Sequence, residues 1–240
     1  MSYIGNTKIG KMYLGNTEIA KAYLGNTLVF QPGGNLPYTP VAYIETDGNA
    51  YINTGITGNA GRSCELKFEA GSLTGTRQCI LGTETGNENT SLFVLVDVGS
   101  GGSLGFGYRY FYNNPDFPIT AQSPFDVKCA MKRSSQVLQL KYSGESSFSS
   151  YSKTQSNTIT TNMPMYLFAG NNANTSVVDK CSQASRLYYC KIYSDDSYTT
   201  LAFDGVPCYY NGEYGLWDRV SDTFFGNAAG SGAFTGPSIS

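Results

Sequence analysis

Two carboxyl groups spaced E-x-D-x-x-E along one strand would set a general acid and a nucleophile on the same face, at the short separation that glycoside hydrolysis requires. The only E-x-D in the chain is Glu45-Thr46-Asp47, and Ala50 stands where the second glutamate is needed, just after a turn signal at Gly48. Histidine is absent from all 240 residues. That removes Ser-His-Asp and Cys-His machinery and leaves any cysteine nucleophile without its commonest activating base. The glycine-rich runs Gly99-Ser100-Gly101-Gly102-Ser103 and Gly105-Phe106-Gly107 lead into no helical pattern and carry no P-loop lysine, so no phosphate cradle is expected. The expectation is a protein that is not an enzyme, with a glycoside hydrolase as the least favoured alternative.

Metal chemistry is equally sparse. None of the six cysteines (Cys64, Cys79, Cys129, Cys181, Cys190, Cys208) falls into CxxC or another zinc spacing. The N-terminus MSYIGNTKIG has neither a basic nor an apolar leader region, so folding in a cytoplasm is expected, with the thiols reduced and mostly buried. Asp195-Asp196 and the loop Gly170-Asn171-Asn172-Ala173-Asn174-Thr175 could supply hard oxygen ligands for calcium, although such residues also cluster in ordinary turns. No cofactor is otherwise implied.

Binding chemistry is better represented. Tyrosine occurs 19 times, and Tyr108, Tyr110, Phe111 and Tyr112, followed by Asn113-Asn114-Pro115, form the densest aromatic cluster. Tyr108, Tyr110 and Tyr112 are candidate glycan contacts, because a phenol ring offers a flat apolar face with a polar tip; core or intersubunit packing is the competing use. Trp217 is expected to pack under a sheet. With 16 basic and 18 acidic residues the net charge is −2, so no electrostatic footprint for nucleic acid is visible. No apolar run approaches the ~18 residues of a membrane span, so membrane insertion is not expected.

The elements that carry these residues read as strands throughout. Residues 3 to 31 hold three near-identical units ten residues apart: Tyr3-Ile4-Gly5-Asn6-Thr7-Lys8-Ile9, Tyr13-Leu14-Gly15-Asn16-Thr17-Glu18-Ile19 and Tyr23-Leu24-Gly25-Asn26-Thr27-Leu28-Val29. Each reads as strand, Gly-Asn turn, strand. Tyr3, Tyr13 and Tyr23 then take equivalent places, as do Ile9, Ile19 and Val29. Two-stranded ribbons are marginal alone and leave an apolar face wet. These six positions are therefore candidate assembly residues, with a homotrimer as the expected association and packing on the chain's own body as the alternative. Domain organisation follows as residues 1–31 for the repeats, 32–40 for a Pro- and Gly-rich linker, and 41–240 for the body.

In the body, Val41 to Glu45 and Ala50 to Thr54 flank an Asp-Gly turn, and Ser63 to Glu69 alternates with Cys64, Leu66 and Phe68 on one side and Glu65, Lys67 and Glu69 on the other. Further strands are expected at 78–82, 91–98, 104–111, 125–132, 136–143, 165–169, 185–194 and 200–206. About a dozen strands without a helical period predict an all-β, two-sheet antiparallel sandwich of jelly-roll type, preceded by the short β-repeat segment.

The order of segments resembles the concanavalin A-like, laminin G-type jelly roll. The resemblance runs from about residue 41 to 236 through Tyr51-Ile52-Asn53-Thr54-Gly55, Cys79-Ile80-Leu81-Gly82, Phe125-Asp126-Val127-Lys128, Leu138-Gln139-Leu140-Lys141-Tyr142, Tyr166-Leu167-Phe168-Ala169-Gly170 and Arg186-Leu187-Tyr188-Tyr189-Cys190-Lys191-Ile192-Tyr193. The closing stretch from Gly215-Leu216-Trp217-Asp218 to Gly236-Pro237 is similar to the end of such domains in bacteriophage virion proteins, which also carry short YxGxxxI-type repeats. The resemblance implies a virion structural protein, a head fibre, decoration or tail-associated component assembled in the host cytoplasm. It would associate with itself and with other virion proteins and display the jelly roll outward. The alternative it implies is a carbohydrate-binding receptor-recognition module of a phage tail, with a host surface glycan as ligand. Calcium, which some laminin G-type domains bind at a sheet rim, is implied only in that sense.

Overall fold

The computed structural model describes residues 36–73, 77–84, 92–97, 102–108, 110–132, 134–154 and 160–237, together with six short strands between residues 3 and 30. For residues 84, 92–97, 106–108, 110–116 and 160, and for the six repeat strands, the description is of backbone pairing. The chain forms two compact units, Met1–Tyr38 and Thr39–Ser240.

In the first unit, β1 (Tyr3–Ile4) pairs with β2 (Thr7–Lys8), β3 (Tyr13–Leu14) with β4 (Thr17–Glu18), and β5 (Ala22–Leu24) with β6 (Thr27–Phe30). Ile4 faces Thr7, Leu14 faces Thr17 and Leu24 faces Thr27, on either side of the Gly-Asn dipeptide of each repeat. Tyr3, Tyr13 and Tyr23 share one register place, opposite Lys8, Glu18 and Leu28. Val29 belongs to β6, while Ile9 and Ile19 lie outside the described residues. The three hairpins are three separate two-stranded sheets.

The body begins earlier than its sequence suggests. β7 (Thr39–Pro40), at the end of the stretch read as linker, pairs with Tyr209 and Cys208. β8 (Ile44–Thr46), β9 (Ile52–Asn59), β10 (Ser63–Glu69), β11 (Gln78–Glu84), β12 (Leu92–Asp97), β13 (Ser103–Tyr108) and β14 (Tyr110–Pro118) follow. Next come β15 (Phe125–Met131), β16 (Ser135–Tyr142), β17 (Ser149–Thr154), β18 (Thr160–Leu167), β19 (Gly170–Asn172) and β20 (Ser176–Val178). β21 (Arg186–Tyr193), β22 (Leu201–Tyr210), β23 (Glu213–Asp218), β24 (Thr223–Phe225) and β25 (Phe234–Thr235) close the chain.

These strands make two sheets. One runs β17-β16-β15-β10-β21-β22-β23-β24, with β8 on β21, β25 on β8 and β7 on β22. The other runs β14-β13-β12-β11-β18-β9, with β19 parallel to β11 and β20 closing the hairpin. Alternation sets which side chains go inward: Leu66 and Phe68, Phe125 and Val127, and Leu138 and Leu140 are buried, while Glu65, Lys67, Asp126, Lys128, Gln139 and Lys141 between them stay half-exposed. Against them the second sheet buries Ile52, Leu81, Leu104, Met165 and Leu167 in one continuous core. Phe68, Phe168 and Phe234 form a line of rings through it, 5.8 and 5.2 Å between centroids. Each buried ring contributes on the order of 2 kcal/mol from apolar burial. Phe168 adopts φ 67°, a conformation that costs a non-glycine residue about 1 kcal/mol or more, and its backbone is held there by bonds to Ile80 and Cys181.

Two strand expectations are corrected. The Asp-Gly turn exists, with Gly48 at φ 92°, but β8 and β9 enter opposite sheets, so it is a crossing between layers and not a hairpin. The Thr46 hydroxyl donates to Ala50 O and accepts from Gly48 N, which closes the loop between the two strands. The run 104–111 is two strands, β13 and β14, paired from Tyr108 opposite Tyr110 to Ser103 opposite Pro118.

Candidate functional site

The outward face of the larger sheet carries a lattice of charge. Reading across neighbouring strands, Gln139, Lys128, Glu65, Lys191 and Asp204 lie directly opposite one another from β16 to β22. Arg219 extends the row: its backbone N–H donates to Asp204 O and its guanidinium reaches Asp204 Oδ2 at 2.7 Å. From Lys128 onward the signs alternate at each step. A parallel row runs Lys141, Asp126, Lys67, Tyr189, and a third, at the other end, Glu69, Arg186, Glu45. Opposite charges in directly facing positions stabilise a sheet by a few tenths of a kcal/mol to about 1 kcal/mol each, so the lattice reinforces the register that the core already selects.

Tyrosines complete the lattice because β21 bulges. The pairing shifts between Lys67 and Phe68, which gives β21 one extra residue, Tyr188, and brings two successive hydroxyls to this face. Tyr188 donates to Glu69 Oε2 at 2.7 Å, and Tyr189 donates to Asp126 Oδ1 at 2.9 Å with a longer approach to Glu65 Oε1 at 3.5 Å. Burial, followed by the bond to Glu69, pushes the Tyr188 phenol up to about 12; burial and then the bond to Asp126 push Tyr189 further. Both phenols therefore act as hydrogen-bond donors at any physiological pH. Lys128 approaches Glu65 at 3.5 Å and Lys141 approaches Asp126 at 3.4 Å. Two loop aromatics cover these ammonium groups: Phe148 lies 5.1 Å from both Lys128 and Lys141, and Tyr198 lies 5.7 Å from Lys128.

This face can hold polar groups in fixed places but has little net field, since each of these carboxylates has a cation or a phenol hydroxyl beside it. It suits a neutral hydrogen-bonding ligand or simple solvation better than a charged substrate. The half-buried alternation of Ser63 to Glu69 pointed to Glu65, Lys67 and Glu69 as the outer set. Their partners Asp126, Lys128, Arg186, Tyr188 and Tyr189 depend on register and on a bulge, which a single sequence does not display.

The carboxylates of the Glu45-Thr46-Asp47 motif are structural. Glu45 Oε2 accepts from Arg186 Nε at 2.6 Å; Asp47 Oδ1 accepts from Asn49 and Ala50, and its Oδ2 from Ala233. Slight burial of Asp47 acts to raise its pKa, and these backbone N–H groups outweigh it, so the net shift is downward. Ala50 is buried.

Asp195, Asn171 and the Asn172 carbonyl, among the oxygens named for calcium, have other partners. Both carboxylate oxygens of Asp195 are taken by Ser197, Thr199 and Thr200 of its own loop. Asn171 binds Pro164 O and Asn174, and Asn172 O accepts from Thr175 in a turn whose central residues, Ala173 and Asn174, have positive φ. Among the described residues no three His, Cys, Asp or Glu side chains gather to hold a metal ion. Tyr108, Tyr110 and Tyr112 occupy β13 and β14, and their side chains lie outside the described residues. Trp217 is buried, donates Nε1–H to Asp222 Oδ1 at 3.1 Å and meets Tyr210 edge-on at 5.3 Å. The six cysteines are all buried thiols.

The strand order, inward alternation and shared core define the architecture. The fold is a jelly-roll sandwich. No family model matches the sequence, and no curated protein matches it. Similar solved structures include a heptameric SAP-like pentraxin from Limulus polyphemus, 11% identical over 65% of this chain and 77% of that one, TM-score 0.49. Another is tailspike protein 2 from the Escherichia coli O157:H7 bacteriophage CAB120, 10% identical over 65% of this chain and 22% of that one, TM-score 0.47. A third is mouse laminin alpha1 chain, domains LG4-5, 14% identical over 64% and 41%, TM-score 0.41. The chain thus spans about a fifth of the tailspike. At these identities the likeness is one of fold, and no function is drawn from it.

Proposed function

We propose that the chain is a non-enzymatic structural protein of a bacteriophage virion, which associates with itself through its N-terminal repeats and displays the jelly roll outward. The observation that carries this reading is the set of three separate hairpins in one register, with Tyr3, Tyr13 and Tyr23 at equivalent places. Each hairpin is a two-stranded sheet, below the three strands or the supporting layer that independent stability requires. Strand edges repeated every ten residues suit pairing between copies, three being the expected number. The virion setting rests on the resemblance of the repeat and of the closing stretch from Gly215 to Pro237.

Light scattering of the full chain, compared with the triple substitution Tyr3→Ser, Tyr13→Ser, Tyr23→Ser, tests the self-association. The expected result is a trimer mass for the natural sequence and a monomer mass for the variant. A monomer in both cases at tens of micromolar would remove the reading.

A further inference from the structure

A small cavity opens between the two sheets beside the start of β10, with space of ≈ 20 Å³ for a water-sized guest. Its wall contains four sulfur-bearing side chains: Cys64, Cys129, Met131 and Met165. Cys64 of β10 and Cys129 of β15 are directly opposite in register, and both side chains are buried. Met131 follows Cys129 by two residues on the same face, and Met165 comes from β18 in the facing sheet. Arg62 lines the same space. A bulge places it there: Gly61, at φ 84°, donates to Met131 O, while Met131 N–H donates to Arg62 O. Arg62 Nε and Nη1 are buried and have no hydrogen-bond partner. Orphaned guanidinium donors are costly, and their presence points to an acceptor or an anionic group that belongs beside them.

We propose that this cavity is a binding site for one soft monovalent metal ion of the copper(I) class, held by the sulfurs of Cys64, Cys129, Met131 and Met165. Thiolate and thioether donors select Cu(I) over the harder divalent ions, and zinc sites are built from thiolates, imidazoles and carboxylates, of which only two thiols are present. Binding exchanges two thiol protons for one cation: Cu⁺ plus two Cys–SH gives a bis-thiolate complex of charge −1 and two H⁺, with no change of oxidation state. Arg62, which lines the same cavity, supplies the compensating +1. The space is that of a single water-sized guest. This site is independent of the assembly reading.

The competing use of the same residues is packing, since Cys and Met are ordinary core fillers. The test separates the two. Reduced full-length chain is titrated anaerobically against Cu(I) held by bicinchoninate, whose colour reports metal withdrawal. One equivalent per chain is expected to leave the indicator. Cys129→Ser should abolish the withdrawal, Met165→Leu, which conserves volume, should weaken it by at least about tenfold, and Cys208→Ser, outside the cavity, should retain it. Should Cys129→Ser fail to fold, Met165→Leu decides alone. No withdrawal by the natural chain, unchanged affinity in Met165→Leu, or equal loss in Cys208→Ser would each overturn the assignment.

Discussion

Replacing Arg186 with methionine tests whether the outer lattice holds real energy or only decorates the sheet. Arg186 donates Nη1–H to Glu69 at 3.2 Å and Nε–H to Glu45 at 2.6 Å. The two carboxylates differ in surroundings: the Glu69 side chain is 7% exposed and that of Glu45 is 25% exposed. Removing one member of a buried pair costs roughly 3–5 kcal/mol, because the remaining charge stays desolvated. Glu69 keeps the Tyr188 hydroxyl, and Arg186 is itself 33% exposed, so the lower end of that range applies. Loss of the Glu45 contact adds less than about 1 kcal/mol. The sum is about 3 kcal/mol, or a melting temperature lower by roughly 6–12 °C for a body of this size. Trp217 lies in β23, so its fluorescence in a urea titration follows the body. Glu69→Gln in the Arg186→Met background removes the stranded charge, and the pair of substitutions should cost at least about 1.5 kcal/mol less than their sum. If Arg186→Met costs under about 1 kcal/mol, or the two changes simply add, the lattice is solvated ornament and the reasoning fails.

Two other outcomes follow from single features. Backbone N–H from Thr199 lowers the Asp195 carboxyl most; slight desolvation opposes it, and Thr199 Oγ1, Thr200 N and Ser197 Oγ lower it further, to well below the usual carboxylate range. Because the folded value is depressed, the stabilising contribution is present above the unfolded value of ~3.9 and is lost as pH falls through the folded one; a carboxyl-carbon NMR titration should find Asp195 still ionised at about pH 3, and an ordinary aspartate midpoint would contradict the loop geometry. Burial pushes the Cys208 thiol up to about 12 and raises Cys181 and Cys190 too, so the native chain should resist a thiol-disulfide reagent at about pH 8 and react at all six sites in denaturant; rapid labelling of the native chain would show the burial to be wrong.

The two-sheet class was legible because strand alternation is a local property. Ser63 to Glu69 buries Cys64, Leu66 and Phe68, the residues that a period of two assigns to the core, whereas the strand from Gln136 to Tyr142 buries Leu138 and Leu140 together with Gln136 and leaves Val137 half-exposed. The hairpins of the repeats were equally legible, since Gly-Asn between short strands leaves few alternatives. Pairing order was not. Nothing local says that β8 joins β21 while β9 crosses to β18, because that choice is made by contacts more than a hundred residues apart, such as Thr46 N–H to Ser185 O and Thr54 Oγ to Met165 O. The lattice suffered most, since its rows exist only once five strands are in register. The sulfur cavity was hidden for the same reason: Cys64, Cys129 and Met165 are far apart in sequence and belong to no spacing motif.

The distribution of apolar surface links the lattice to the assembly reading. Among the described residues of the body, Tyr209 and Val220 are the large hydrophobic side chains that stand exposed. A stable interface needs a desolvated apolar centre, and none is present there. The broad outer face of the larger sheet offers instead charges already matched within the chain, and a partner laid over it would have to dehydrate Lys128, Glu65, Lys141 and Asp126 while gaining few new bonds for them. That face is thus built to remain in water or under small polar ligands. Among the described residues of the body no apolar patch offers self-association a centre, and the proposed association rests on the repeats with their recurring Tyr-Ile and Tyr-Leu strands.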